Sequence, residues 1–498
     1  MARSALEEPL KKKVYYEGCP GCVMDKRKDT CSDLPYKEFV YVWIVTLSSS
    51  LPISSLFPFL YFMIKDLNIA KTDEDIGFYA GYIGASFMFG RVFTSVLWGV
   101  ISDRYGRKPV TLIGIMSVVI LNVLFGLSTN FWMAISTRFL LGLLNGLLVP
   151  MKAYSSEICR PEHQAIGLSL ISTSWGIGLI LGPAIGGYLA QPVEKYPNIF
   201  SADSVFGRFP YFLPCLAISI FALCTFIACL WIPESLHTHR NRRIEGKTYE
   251  VLESTNSWDL DVNIDSQTKE DEVEVEEESK PSLLKNWPLM SSIIVYCVFS
   301  FHDMAFTEIF SLWTVSDKKY GGLNFSSNDV GEVLAISGFG LLCFQIILYP
   351  SIQRALGVIN SARVAAVLSI VLLSTFSLYS KLSGFWLMFV VNCASLLKNS
   401  LAMIIITGTF ILQNNAVKQH QRGAANGISM TLQSLFKAIA PACAGALFSL
   451  AQKRQIASIL PGDELVFFAL IVVEVLGLAL TFNFFLKTPN TQAEEILV

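Results

Sequence analysis

Three carboxylates, five bases and a histidine fall inside stretches that are otherwise apolar. The acids are Asp303, Glu308 and Glu474, with His302 beside the first, and the bases are Arg91, Arg138, Lys152, Lys398 and Lys437. A charge placed in a bilayer costs about 2.5–3.5 kcal/mol on insertion scales, so such residues turn to a partner or a wet cavity. Removal from water penalises the charged form and brings proton exchange toward the physiological range. Asp303 or Glu308 is therefore the expected proton carrier. Arg91, Lys398 and Lys437 are expected to hold negative groups of a solute, with His302 and Glu474 lining the same cavity. The two candidate carriers stand five positions apart, about 140° around a helix, so both cannot face one cavity squarely. Mutual salt bridges are the competing reading at each position, and snorkelling to a nearby interface competes for Arg138.

Two other constellations could do chemistry. Cys19-Pro20-Gly21-Cys22, with Cys31 nearby, could supply two or three zinc thiolates, and His237 and His239 could add imidazoles. That is a half-site at most, and a redox or interaction role is equally open. The polar turn Trp98 to Pro109 packs Gly99, Asp103, Arg104, Gly106, Arg107 and Lys108 between apolar stretches. Its glycines permit a tight reversal, and Asp103 can pair with the arginines or cap the next helix.

These residues need long apolar helices to position them. The chain of 498 residues is 52% hydrophobic and 16% charged, with mean hydropathy +0.49. Soluble proteins carry about a quarter charged residues. The deficit implies many spans of about 20 apolar residues each, and the formal charge of −2 gives no sign of a nucleic-acid partner. The first apolar run begins near Phe39, after a lysine-rich tail, so no cleavable signal peptide is expected. The pattern predicts an all-α integral membrane protein: a cytosolic tail over 1–37, six helices over 38–233, an acidic disordered linker over 234–285, six more over 286–487, and a tail over 488–498. With both termini in the cytosol, 24 Lys and Arg lie on that side and nine on the other, as the positive-inside rule requires. Most of the eleven cysteines fall in apolar spans, and structural disulfides are not expected of the rest on a reducing side. A weak repeat relates Ala165-Ile-Gly-Leu-Ser169 before Pro183 to Ala425-Asn-Gly-Ile-Ser429 before Pro441.

The turn after Trp98 resembles the signature loop between helices two and three of the major facilitator superfamily, G-x-x-x-D-r-x-G-R-[RK]. The resemblance implies twelve transmembrane helices in two six-helix halves. Ser169, Gly178, Gly182, Pro183, Gly186 and Gly187 are similar to that superfamily's antiporter motif, whose glycine face packs closely on a neighbour and is associated with proton exchange. Arg138 to Gly142 resembles its R-x-x-x-G motif, which is implicated in proton transfer. Glu157 resembles the acid that contacts the signature loop and is read as a gate residue. The Cys19–Cys22 tail, the Trp98-Gly99 form of the loop and the Ser169–Gly187 motif together resemble the plant zinc-induced facilitator-like family.

The family resemblance implies a proton-coupled antiporter of the vacuolar or plasma membrane. It would export a nicotianamine-like chelator or organic anion tied to zinc homeostasis. The excess of intramembrane bases over acids favours such an anion over a bare metal ion. Potassium or auxin-related transport is the alternative within the class, and a membrane metal sensor without transport is the alternative outside it. No nucleotide loop or catalytic triad suggests an enzyme. Protons are the expected coupling ion, zinc at the tail the one metal to consider, and a monomer in lipid the expected state.

Overall fold

The computed structural model describes residues 15–16, 18–30, 34–160, 164–237, 283–417, 422–454 and 462–487. Cys31, His239, most of the expected linker and the expected C-terminal tail lie outside them. After a tail helix, Pro20–Thr30, twelve spans follow in order among the described residues. Span one is Tyr36–Ser54 continued by Leu60–Asp66, span two Ile76–Tyr105 and span three Arg107–Gly126. Span four is Phe131–Leu144 continued by Leu148–Ile158, span five Gln164–Leu189 and span six Phe212–Cys229. Span seven is Trp287–Val315, span eight Ser327–Ile347 continued by Tyr349–Leu356, and span nine Val358–Thr375. Spans ten, eleven and twelve are Gly384–Asn415, Arg422–Lys453 and Glu464–Leu480.

Among the described residues eight helices cross the length and apolarity threshold of a membrane span, or ten if two bent ones count. The other two are spans one and twelve. Span one breaks because Pro58 has no N–H to offer the Ser54 carbonyl one turn earlier. Local signals set other boundaries. The Asn130 and Asn286 side chains accept from the backbone N–H groups of Met133 and Leu289, and Ser326 forms a capping box with Asp329. Gly106, at φ +111°, turns the chain from span two into span three.

The halves repeat each other. Spans one and five, two and four, and three and six pack together, as do seven and eleven, eight and ten, and nine and twelve. The main pairings that join the halves are span two with span eleven and span five with span eight, and span two also touches span seven. The helix Pro20–Thr30 and the Trp98–Pro109 loop both meet the end of span four and share one face, here the terminal side. On the opposite, far side, cross-half bonds close the structure: Tyr320 Oη donates to Glu74 at 2.6 Å, Lys453 Nζ to Asp75 at 2.5 Å and Lys195 Nζ to Ser327 Oγ at 2.8 Å.

Candidate functional site

Span seven carries two acids within its length, Asp303 and Glu308. Glu308 is 1% exposed, and neither carboxylate oxygen has a hydrogen-bond partner among the described residues. It lies where spans two, seven and eleven meet: a Cβ built on Gly84 would sit 3.0 Å from Glu308 Oε2 and 3.3 Å from Pro441 Cβ. Leaving so buried a carboxylate ionised and unpaired is costly. Asp303 is half-buried and shares an electrostatic neighbourhood with Lys437, which also feels Arg91, while Arg91 in turn acts on Lys152. Spans two, four, seven and eleven thus bring three bases and one acid together, all four half-buried. Lys152 Nζ reaches Met430 Sδ on span eleven at 3.6 Å. The two span-seven acids occupy different surroundings, as their angular separation requires.

His302, Lys398 and Glu474 form a second cluster, enclosed within the C-terminal half between spans seven, ten and twelve. All three are at most 2% exposed. His302 Nε2 lies 3.0 Å and Lys398 Nζ 3.9 Å from Glu474 Oε2, the former without hydrogen-bond alignment. The Lys398 ammonium also sits 4.9 Å from the Phe306 ring centre, a cation–π contact. Lys398 is therefore neutralised inside its own half, whereas Arg91 and Lys437 stand nearer the joint.

Arg138 is also fully buried. Its Nη1 donates to the Pro52 carbonyl at 2.8 Å, and its guanidinium carbon lies 5.2 Å from the Phe87 ring centre and 5.3 Å from that of Phe125. The side chain thus satisfies a carbonyl at the end of the first half of span one, just before the break, and is sandwiched by aromatics. Burial this complete sets aside snorkelling.

The signature loop is held by a relay of carboxylates. Arg107 pairs with Asp103 and donates to Ser102 Oγ at 2.7 Å, and its Nη2 reaches Glu157 Oε1 at 2.8 Å. Ser235 Oγ donates to Glu157 Oε2 at 2.6 Å. Glu234 accepts the backbone N–H groups of Arg107 at 2.9 Å and Lys108 at 3.0 Å, which caps span three with a negative charge. Lys108 Nζ closes onto the Leu230 carbonyl at 2.6 Å. Gly99 rests on Val149, and Arg104 lies over Tyr105, so neither enters the relay.

The glycines of span five divide between two neighbours. Gly178, Gly182 and Gly186 lean on Ser50, Ser54 and Ser55 of span one, where Ser54 Oγ donates to the Gly178 carbonyl at 2.8 Å. Gly187 instead meets Gly331 and Ser327 of span eight, and the Pro183 carbonyl also faces Gly331. Ser169 belongs to the helix, but its side chain lies outside the described residues.

Near the tail, Cys19, Cys22 and His237 bring ligand atoms within 4.8 Å of one another. Spacing alone left Glu234, Ser235 and Asp25 unnoticed. An acid following Ile232-Pro233 at the end of span six carries no residue-spacing signature, and only the fold sets it under the loop.

The Major Facilitator Superfamily model matches residues 42–441. Protein ZINC INDUCED FACILITATOR-LIKE 1 of Arabidopsis thaliana is 58% identical to this chain over 479 residues, covering 96% of the chain and 98% of that protein. Protein ZINC INDUCED FACILITATOR 1 of the same plant is 54% identical over 489 residues, covering 98% and 99%. In three dimensions the chain is similar to a D-xylose-proton symporter, at TM-score 0.67 and 13% identity, over 92% of this chain and 98% of that one.

Proposed function

Because the chain belongs to the major facilitator superfamily, a family of multi-pass membrane transporters, we propose that it is a proton-coupled antiporter that moves a small solute out of the cytosol. The vacuole or the cell exterior would receive it, with the terminal side cytosolic. The carrying observation is Glu308, buried without a hydrogen-bond partner among the described residues where spans two, seven and eleven join the halves. A neutral carboxyl is tolerated in that closed joint, and an ionised one requires water. Separation of the spans would wet and ionise it, and closure would favour its reprotonation, so the proton would follow the conformational change. Asp303 is the second candidate in the same helix. Arg138, braced at the break of span one, is the remaining member of the coupling set.

The solute reading rests on charge. Arg91, Lys152 and Lys437 stand near the joint with Asp303 as the acid in reach. Such an excess suits a carboxylate-bearing chelator, such as nicotianamine, or another organic anion. Two relatives named for zinc induction add zinc homeostasis to that reading. The partnerless Glu308 carboxylate supports a second reading, exchange of a monovalent cation such as potassium.

The test uses purified protein in liposomes with a trapped pH dye and an imposed proton gradient. Nicotianamine, with and without zinc, is expected to release protons, and Glu308→Gln to abolish that release in folded protein. Potassium is the comparison solute, and indole acetic acid probes auxin-related transport. Proton-independent equilibration of a labelled solute, or full pH-driven transport in Asp303→Asn/Glu308→Gln, would overturn the antiport reading.

A further inference from the structure

We propose that Cys19, Cys22 and His237 form a zinc site that clasps the tail helix Pro20–Thr30 to the segment following span six, and so braces the Glu157–Arg107–Glu234 relay. Both cysteines are nearly fully buried, and they stand at the start of the helix. Cys19 Sγ lies 3.8 Å and Cys22 Sγ 3.7 Å from His237 Nδ1. Tetrahedral zinc with its usual bond lengths puts a sulfur and an imidazole nitrogen about 3.6 Å apart. The imidazole and both thiols are thus near the separation that a single cation would impose.

Two further observations point to a ligand. His237 Nε2, the nitrogen turned away from the thiols, lies 3.3 Å from Asp25 Oδ2. A carboxylate on the far nitrogen is the arrangement that fixes the tautomer of a metal-bound imidazole. Gly21 leaves the room that lets the ring enter. A Cβ there would meet His237 Cγ and Nδ1 at 2.7 Å and the Ser235 carbonyl at 2.8 Å, closer than real Cβ atoms come to their neighbours. The Gly21 N–H also donates to the Leu236 carbonyl at 3.2 Å. Thiolate and imidazole donors suit zinc and disfavour calcium or magnesium. Three protein ligands leave one coordination position to solvent, which keeps the metal exchangeable.

The site is wired to the gate by four consecutive residues. Glu234 caps span three, Ser235 holds Glu157, Leu236 accepts from the tail, and His237 faces the thiols. A second link runs from Asp25 to Lys28 at 2.6 Å, from Lys28 Nζ to the Glu157 carbonyl at 2.7 Å, and from Arg160 Nε to the Lys28 carbonyl at 2.6 Å. Zinc would hold both links at once, and its loss would free the tail from the loop.

The experiment uses full-length, chelator-stripped protein in detergent, titrated with zinc against a chromophoric chelator. One zinc per chain is expected, with cobalt(II) substitution giving a thiolate charge-transfer band. Cys19→Ser/Cys22→Ser and His237→Ala should lose both signals, and Asp25→Asn should weaken zinc about 10–100-fold. Zinc should also slow tryptic cleavage after Lys26, Arg27 and Lys28 in the parent but not in the double cysteine variant. Zinc uptake unchanged by that variant, or cobalt without the band, would overturn the site. Zinc bound with no change in cleavage would overturn the clasp. None of these readouts involves transport, so failure here leaves the antiport reading to its own test.

Discussion

Gly187 of span five and Gly331 of span eight meet across the two halves with no side chain between them: a Cβ built on either would lie 2.9 Å from the Cα of the other. The same Cβ atoms would meet the Ser327 carbonyl at 2.6 Å and the Pro183 carbonyl at 2.7 Å. The obstacles are backbone, which cannot swing aside as a side chain tip can. Closure on the far side therefore depends on two hydrogens.

Gly187→Ala or Gly331→Ala should hold the halves apart on that side. Overpacking of this kind costs about 1–3 kcal/mol, enough to shift the open–closed balance by about fivefold or more. A cysteine at Asn328 should then react faster with a membrane-impermeant maleimide added from the far side. Gly178→Ala presses on Ser50 inside one half, so it should lower thermal stability without changing that labelling. Equal labelling in all three variants would remove the hinge role of the pair.

Glu234 does two jobs, capping span three and setting the chain that leads to Ser235 and His237. Glu234→Ala should cost about 0.5–2 kcal/mol, the range of a lost helix cap, read as a lower melting temperature in detergent. Glu234→Gln keeps one acceptor oxygen but loses the favourable charge at the helix start, so it should fall between parent and alanine. A glutamine variant as unstable as alanine would mean that charge, not hydrogen bonding, dominates.

Inside the C-terminal half, Glu474 neutralises Lys398 beside His302. Removing one member of a buried pair strands the other, typically at about 3–5 kcal/mol, whereas replacing both by apolar groups can be neutral. Glu474→Leu should therefore be strongly destabilising, and Lys398→Met/Glu474→Leu should recover most of the loss. If both variants melt like the parent, the cluster contributes no stability and its charges are free to serve a solute.

The periodicity of the apolar runs made the twelve spans legible, because each needs about 20 residues without water contact and the chain has few ways to supply them. The far end of span one was less legible: Pro58 stops the helix within an unbroken apolar run. The glycines of span five were visible as a face, but the division between span one and span eight depends on helix rotation that spacing does not encode. Likewise Lys398 and Lys437 look equivalent in sequence, each a lysine deep in a span. Only the packing of spans ten and twelve around spans seven and nine gives Lys398 an acid and leaves Lys437 near the joint. Cys19 and Cys22 were visible as a pair, and only the course of the chain after span six sets His237 beside the two thiols.

Asp463 gives the far side a pH response that can be signed. It precedes span twelve, is 5% exposed, and neither carboxylate oxygen has a hydrogen-bond partner among the described residues. Burial pushes its carboxyl up from 3.8 to about 7. The folded protein therefore holds this proton where the unfolded chain has released it, and the stability it contributes at low pH declines as pH rises from about 4 through 7. Asp463→Asn keeps the shape and cannot ionise. The variant should melt with the parent near pH 4 and above it at pH 8, by a few kcal/mol at most. A parent–variant difference that stays constant across that range would show that Asp463 is not the titrating group.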